Sequence, residues 1–183
     1  MTVLAESRMT VDEFLAWAQE RPGRYELFRG EVFAMSPETI GHVKTKYAIY
    51  TALFTAVRQS SHPCHVLGDG ATVRVDTRTA YEPDALVYCG PERPLSDVEV
   101  PDPVILVEVL SPSTRQLDAS VKLTGYFRLP SVAHYLIVDP AEPTIVHHSR
   151  KPSEDIVTRV VTEGVIRLDP PGLEIALADI YGA

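Results

Sequence analysis

Cysteine is scarce in this chain. Cys64 and Cys89 are the only two among 183 residues, with no CxxC spacing and no histidine at zinc-ligand spacing beside them. A thiolate metal site is therefore disfavoured, and both read as reduced structural thiols. Long apolar runs are missing as well. No stretch approaches the roughly 18 residues that a membrane span needs, and the N-terminus MTVLAESRMTVDEF has neither a basic-then-apolar leader nor a cleavage pattern. The expectation is a soluble, cytoplasmic protein with no membrane partner. Basic residues are outnumbered, 17 Lys and Arg against 25 Asp and Glu, for a net charge of -8. That balance argues against a broad basic surface and strong non-specific binding of nucleic acid, yet leaves room for a local groove. A carboxylate-rich metal site would itself contribute negative charge, which the ion reverses on binding.

Several motifs are also absent. Ser111 and Ser113 lie in LSPST without a G-x-S-x-G elbow, which removes a serine hydrolase. LGDGATV lacks the GxGxxG and Walker patterns and reads as a turn rather than a phosphate cradle. His147 and His148 are neighbours on a predicted strand and point to opposite faces, so they do not share a metal. There is no internal repeat and no low-complexity linker, only proline-rich loops near residues 91 to 103 and 140 to 152.

What is present is a core-forming composition, 45% hydrophobic, in a chain whose length suits one domain over residues 1–183. TVDEFLAWAQERPG opens with Thr10 and Glu13 at capping-box spacing and closes at Gly23, which predicts a helix with Phe14, Leu15 and Trp17 or Ala18 inward. RYELFRGEVFAMSP predicts a hairpin about Arg29-Gly30. Val43, Tyr47, Tyr50, Phe54 and Val57 recur at alternating spacings of four and three, the apolar stripe of an amphipathic helix over about 42 to 59. Strand candidates follow in ATVRV, DALVYCG and VILVEVL. DASVKLTGYFRLP then reads as a helix begun by Asp118 and stopped by Pro130. AHYLIVDP, TIVHHS, DIVTRVV, GVIRL and LEIAL read as further strands. The order predicts an α/β (α+β) domain, a central sheet covered by helices with extra short strands at its C-terminal end.

One stretch stands out. In PVILVEVLSPST, Glu108 interrupts a run of Val, Ile and Leu that reads as a strand buried on both faces. An unpaired carboxylate there costs on the order of several kcal/mol, so it must be protonated, paired with a cation or bound to a metal. Asp84 in YEPDALVY follows Pro83 where a loop becomes strand. If it neighbours Glu108, a shared divalent ion resolves the repulsion. Asp118, Lys122 and Tyr126 fall at i, i+4 and i+8, so a helix packed over the end of the Glu108 strand would bring Lys122 to the carboxylates.

EPDALVY, then ILVEVLSPST, then Asp118, Lys122 and Tyr126 at spacings of four resemble the Uma-type restriction-endonuclease family, a branch of the PD-(D/E)xK nuclease superfamily. The resemblance runs from YELFRGEVFAMSP to HYLIVDP, with VEVLSPST its most specific part. It implies a restriction-endonuclease-like fold with a central mixed sheet. It also implies Asp84, Glu108 and the Val109 carbonyl as ligands of Mg²⁺ or Mn²⁺, with Lys122 catalytic beside Asp84 and Glu108. Leu110 occupies the place where the superfamily usually carries lysine, and the branch moves that lysine to the following helix. Glu26 matches with a supporting or second-metal role, and His42 matches without an assigned one. The chemistry implied is Mg²⁺-dependent hydrolysis of phosphodiester bonds in DNA, by a homodimer where both strands are cut. Two alternatives stand beside it: a catalytically degenerate nuclease fold acting as a binding or regulatory module, and a metal-dependent phosphoesterase of small substrates.

Overall fold

The computed structural model describes residues 2–3, 8–111 and 117–182, the side chains of 2, 3 and 117–119 excepted. After a short strand β1 (Thr2–Val3), helix α1 (Val11–Gln19) begins at Thr10, whose hydroxyl accepts the Glu13 N–H while Glu13 accepts the Thr10 N–H. This reciprocal cap is the one read from the sequence. Val11 and Phe14 are buried by the helix, and Leu15, Trp17 and Ala18 pack at the margin of the same cluster. Strands β2 (Tyr25–Phe28) and β3 (Glu31–Ala34) form the predicted hairpin, with Arg29 at φ 52° and Gly30 at φ 85°, the left-handed pair that a tight two-residue turn requires.

Helix α2 (Ile40–Gln59) is present, but the apolar stripe seen in the sequence is not its buried face. Val43, Tyr47 and Phe54 are 50%, 73% and 41% exposed, and Tyr50 and Val57 are only partly covered. His42, Thr45, Lys46, Ile49, Ala52 and Leu53 face inward instead. The physical reason lies at the helix N-terminal half: turning His42 and Lys46, one turn apart, toward the buried Asp84 and the more open Glu38 and Asp69 rotates the stripe toward solvent. Charge pairing, not apolar periodicity, sets the azimuth.

The remaining strands are β4 (Cys64–Gly68), β5 (Val73–Asp76), β6 (Thr79–Tyr81), β7 (Ala85–Cys89), β8 (Pro103–Val109), β9 (His134–Val138), β10 (Ile145–Arg150), β11 (Ile156–Val161), β12 (Val165–Leu168) and β13 (Leu173–Ala176). A six-stranded sheet runs β11-β10-β9-β8-β7-β4, antiparallel except for the parallel pair β8/β9. A five-stranded sheet runs β1-β3-β2-β6-β5, and β12/β13 form a separate hairpin. Parallel neighbours need a crossover. Here it carries a π-helical segment (Leu117–Lys122) that continues into α3 (Leu123–Tyr126), and a last helical turn, α4 (Ala178–Tyr181), ends the described chain.

Strand β8 is buried on both faces, as its run of Val, Ile and Leu requires. Ile105, Val107 and Val109 join the cluster beneath α2, β13 and α4, while Leu106 joins Tyr81, Tyr126 and Tyr135 on the opposite face. The architecture is thus the predicted mixed α+β one with the extra C-terminal strands. The thiols are a correction. Cys64 and Cys89 face one another across β4 and β7 and form a disulfide, because the register sets them directly opposite despite their separation of 25 residues.

Candidate functional site

Asp84 enters β7 from Pro83, and its N–H donates to the Val107 carbonyl at 3.0 Å. The pairing of Ala85 with Val107, carried one residue further, sets Asp84 across from Glu108 on the neighbouring strand. Both are buried, each 4% exposed. Each is stabilised differently. Asp84 Oδ2 accepts the Val109 N–H at 2.7 Å and lies 3.4 Å from His42 Nε2, and Asp84 Oδ1 lies 3.6 Å from Lys46 Nζ. Burial raises the Asp84 pKa, against the Val109 N–H and the positive charge of Lys46 and Lys122, which favour the carboxylate.

Glu108 is held from the crossover. Lys122 Nζ reaches its Oε1 at 2.8 Å and the Tyr126 hydroxyl donates to the same oxygen at 2.7 Å. Lys122 is itself 1% exposed and also pairs with Glu26 Oε1 at 2.9 Å. The ammonium lies 5.5 Å from the Tyr81 ring centroid. Gly125 makes that approach possible: a Cβ there would stand 3.0 Å from Tyr81 Cε2. Burial and the adjoining Glu108 keep Tyr126 a proton donor by raising its pKa. Glu26 Oε1 accepts the Glu82 N–H at 3.0 Å, and Glu26 Oε2 is buried with no partner among the described residues.

A second layer of charge adjoins the first. Lys46 Nζ holds Glu38 Oε1 and Asp69 Oδ2 at 2.6 Å each, and Arg24 holds Glu38, Asp69 and Glu82 at 3.0, 2.7 and 2.6 Å. Burial opposes the charge on Lys46, but its hydrogen bonds to Asp69 and Glu38 outweigh it and raise the pKa. Four of these five residues were not singled out as site residues in the sequence, and the fifth, Asp69, reads there as turn punctuation. The available signal was local: Glu38 precedes the α2 N-cap Thr39, Lys46 lies one turn after His42, and Glu82 is two residues before Asp84.

The residues predicted to act together, Asp84, Glu108, Lys122, Glu26, Tyr126 and His42, are brought together. For Val109 the observed contact is its N–H on Asp84. Asp118 lies in the π-helical segment rather than at a helix cap, and its side chain lies outside the described residues. As a test of fit to a divalent cation, the donors are suitable. Ligand atoms of Glu38, His42 and Asp84 lie within 4.8 Å of one another. An entering ion would compete with Lys46 at Asp84 and with Lys122 at Glu108, so ion pairs and metal are alternative ways to neutralise the same buried acids.

Two proteins of Synechocystis sp. match: slr1290, 24% identical over 176 residues (95% of this chain, 92% of the relative), and sll1609, 21% identical over 154 residues (82% and 85%). A crystal structure titled as "a putative nuclease" from Anabaena variabilis superposes with a TM-score of 0.74 at 15% identity, over 94% of this chain and 97% of that one, which establishes the shared fold. The profile of the Uma2 family, described as "Putative restriction endonuclease", matches residues 11–178. With the paired acidic strands, the crossover lysine and a match spanning nearly the whole chain, the protein belongs to the Uma2 family and has its restriction-endonuclease-like fold.

Proposed function

We propose that this protein is a divalent-metal-dependent endonuclease that hydrolyses phosphodiester bonds in DNA. The observation that carries the reading is the convergence of Asp84 and Glu108 from adjacent strands with Lys122 from the crossover, 2.8 Å from Glu108. Asp84, Glu108 and the Val109 carbonyl would hold Mg²⁺ or Mn²⁺, which when bound supplies a water of lowered pKa and offsets charge on the phosphate oxygens. Lys122, whose ammonium lies at Glu108, would donate hydrogen bonds to a non-bridging phosphate oxygen or to the attacking water. Tyr126 fixes the Glu108 carboxylate, and Glu26 pairs with Lys122 from the other side. His42 and Glu38 beside Asp84 offer a second place for a cation. A chain with one such site needs two copies to cut both strands, so the working unit is a homodimer in the cytoplasm.

A second reading has its own support. Glu108 is already satisfied by Lys122 and Tyr126, and Asp84 by Val109, His42 and Lys46, without any metal. A catalytically degenerate fold kept as a binding or regulatory module would look the same. Incubation with duplex DNA and millimolar Mg²⁺ or Mn²⁺ separates the two. Cleavage by the wild type that Glu108→Gln and Lys122→Met each reduce by two orders of magnitude or more supports the nuclease. No cleavage, with no rise in melting temperature on adding either ion, supports the module.

A further inference from the structure

The face of the six-stranded sheet opposite Glu108 carries a polar cavity. About 540 Å³ in volume, it is lined by His134, His147, Lys151, Arg159, Arg167 and Asp169, with Val161 and Val165 as an apolar wall. His134 and His147 are 2% and 7% exposed, and His134 Nδ1 lies 2.9 Å from His147 Nε2. Alternation along β8 and β9 puts Leu136 and His134 on the face of Val107 and Ile105, away from the face that Glu108 shares with Leu106. The site is therefore separate from the acidic one.

Its charge is the reverse of the whole molecule's. Arg159 sits directly across from His147 in the β10/β11 register, and Lys151 follows the end of β10. Neither has a carboxylate at ion-pair distance among the described residues, whereas Arg167 holds Glu174 at 2.9 Å. Two uncommitted cations facing a buried imidazole pair outnumber the one carboxylate of the lining, Asp169, and in a chain of net charge -8 form a receptor for an anion. The volume lies within the range of small-molecule pockets, and the valine wall suits an apolar moiety attached to that anion.

We propose that this cavity is a second binding site of the protein, taking a phosphate-bearing ligand whose oxygens engage Lys151, Arg159 and the His134/His147 pair. The site needs no divalent metal and does not depend on the nuclease reading. Both imidazoles are held neutral, their pKa values lowered to about 4 by burial and then, for His147, by His134, Arg159, His148 and Lys151. The Asp169 and Pro170 backbone works the other way on His134. A bound anion offsets the cations and favours protonation, so binding takes up protons and tightens as pH falls.

The test is an NMR titration of the histidine ring resonances in EDTA, with inorganic phosphate, a nucleoside monophosphate and a short DNA duplex as three probes. Saturable shifts at His134 and His147, weakened at least tenfold in Lys151→Ala/Arg159→Ala, support the site. Response to the two small probes identifies a soluble ligand, and response to the duplex alone identifies the nucleic-acid backbone as the source of the phosphate. No saturable shift with any probe overturns the proposal, as does a response that the double variant leaves unchanged. Both substituted side chains line an open cavity rather than the core, and an unchanged melting curve verifies that the variant is folded. His147→Asn, which removes one ring of the pair, is the second variant and should also weaken binding.

Discussion

Two lysines of this chain live in opposite circumstances. Lys122 is 1% exposed and clasped between Glu26 and Glu108, while Lys151 stands at the rim of a cavity with no acidic partner among the described residues. Around the first, charges are matched inside the protein. Around the second, two cations and two neutral imidazoles are left for something else to match. The difference teaches that one molecule can hold one cation in internal ion pairs and leave others poised for an external partner.

The comparison breaks most visibly at Lys122. Lys122→Met strands two buried carboxylates and should cost about 3–5 kcal/mol in denaturant unfolding. The double variant Lys122→Met/Glu108→Gln should recover a substantial part of that loss, and no recovery would show that the ion pair is not what the single substitution disrupts. Next in size is the metal response. An ion at 100 times its Kd adds about 2.7 kcal/mol to the wild type. Glu108→Gln should abolish that gain and His147→Asn should keep it, both read by calorimetric melting.

An effect of a different kind should appear as acid is added. His134 and His147 have folded-state pKa values of about 4, below the usual 6.5, so the unfolded chain binds more protons between those values. Their contribution to stability is complete above pH 6.5 and is lost as pH falls toward 4, at about 1.4 kcal/mol per unit of displacement. Unfolding measured across that window should show a slope that His134→Asn/His147→Asn flattens; an unchanged slope would put the acid sensitivity elsewhere. Smallest of all is Lys151→Ala, expected within about 0.5 kcal/mol of wild type by the same unfolding assay. A large loss there would mean that Lys151 has a structural role after all.

Much of the acidic site was legible in the sequence because its parts are local. An unbroken apolar run marks β8 as buried, and the glutamate within it is conspicuous. Pro83 fixes where Asp84 enters β7, and spacings of four align Lys122 with Tyr126. What stayed hidden depended on register and azimuth. Nothing in the sequence says that Cys64 lies opposite Cys89, and helical spacing cannot choose between the Val43/Tyr47/Phe54 stripe and the Ile49/Leu53 face of α2. The choice was made by Lys46 reaching Glu38 and Asp69, contacts that span up to 23 residues of sequence. His147 and His148 do point apart, as alternation predicts, but the partnership of His147 with His134 on β9 was beyond sequence reasoning.

The parallel pairing of β8 with β9 has a consequence for how such proteins are searched for. Because parallel neighbours oblige the chain to travel out and back, a connecting segment passes over the end of β8 whatever its sequence. An ammonium placed on that detour arrives at Glu108 without occupying position 110, where Leu110 packs against the second apolar cluster instead. The place of a charge in the sequence is thus a poor guide to its place in space. A string of letters is then the wrong unit of comparison, and the coordinates of the charge are the right one.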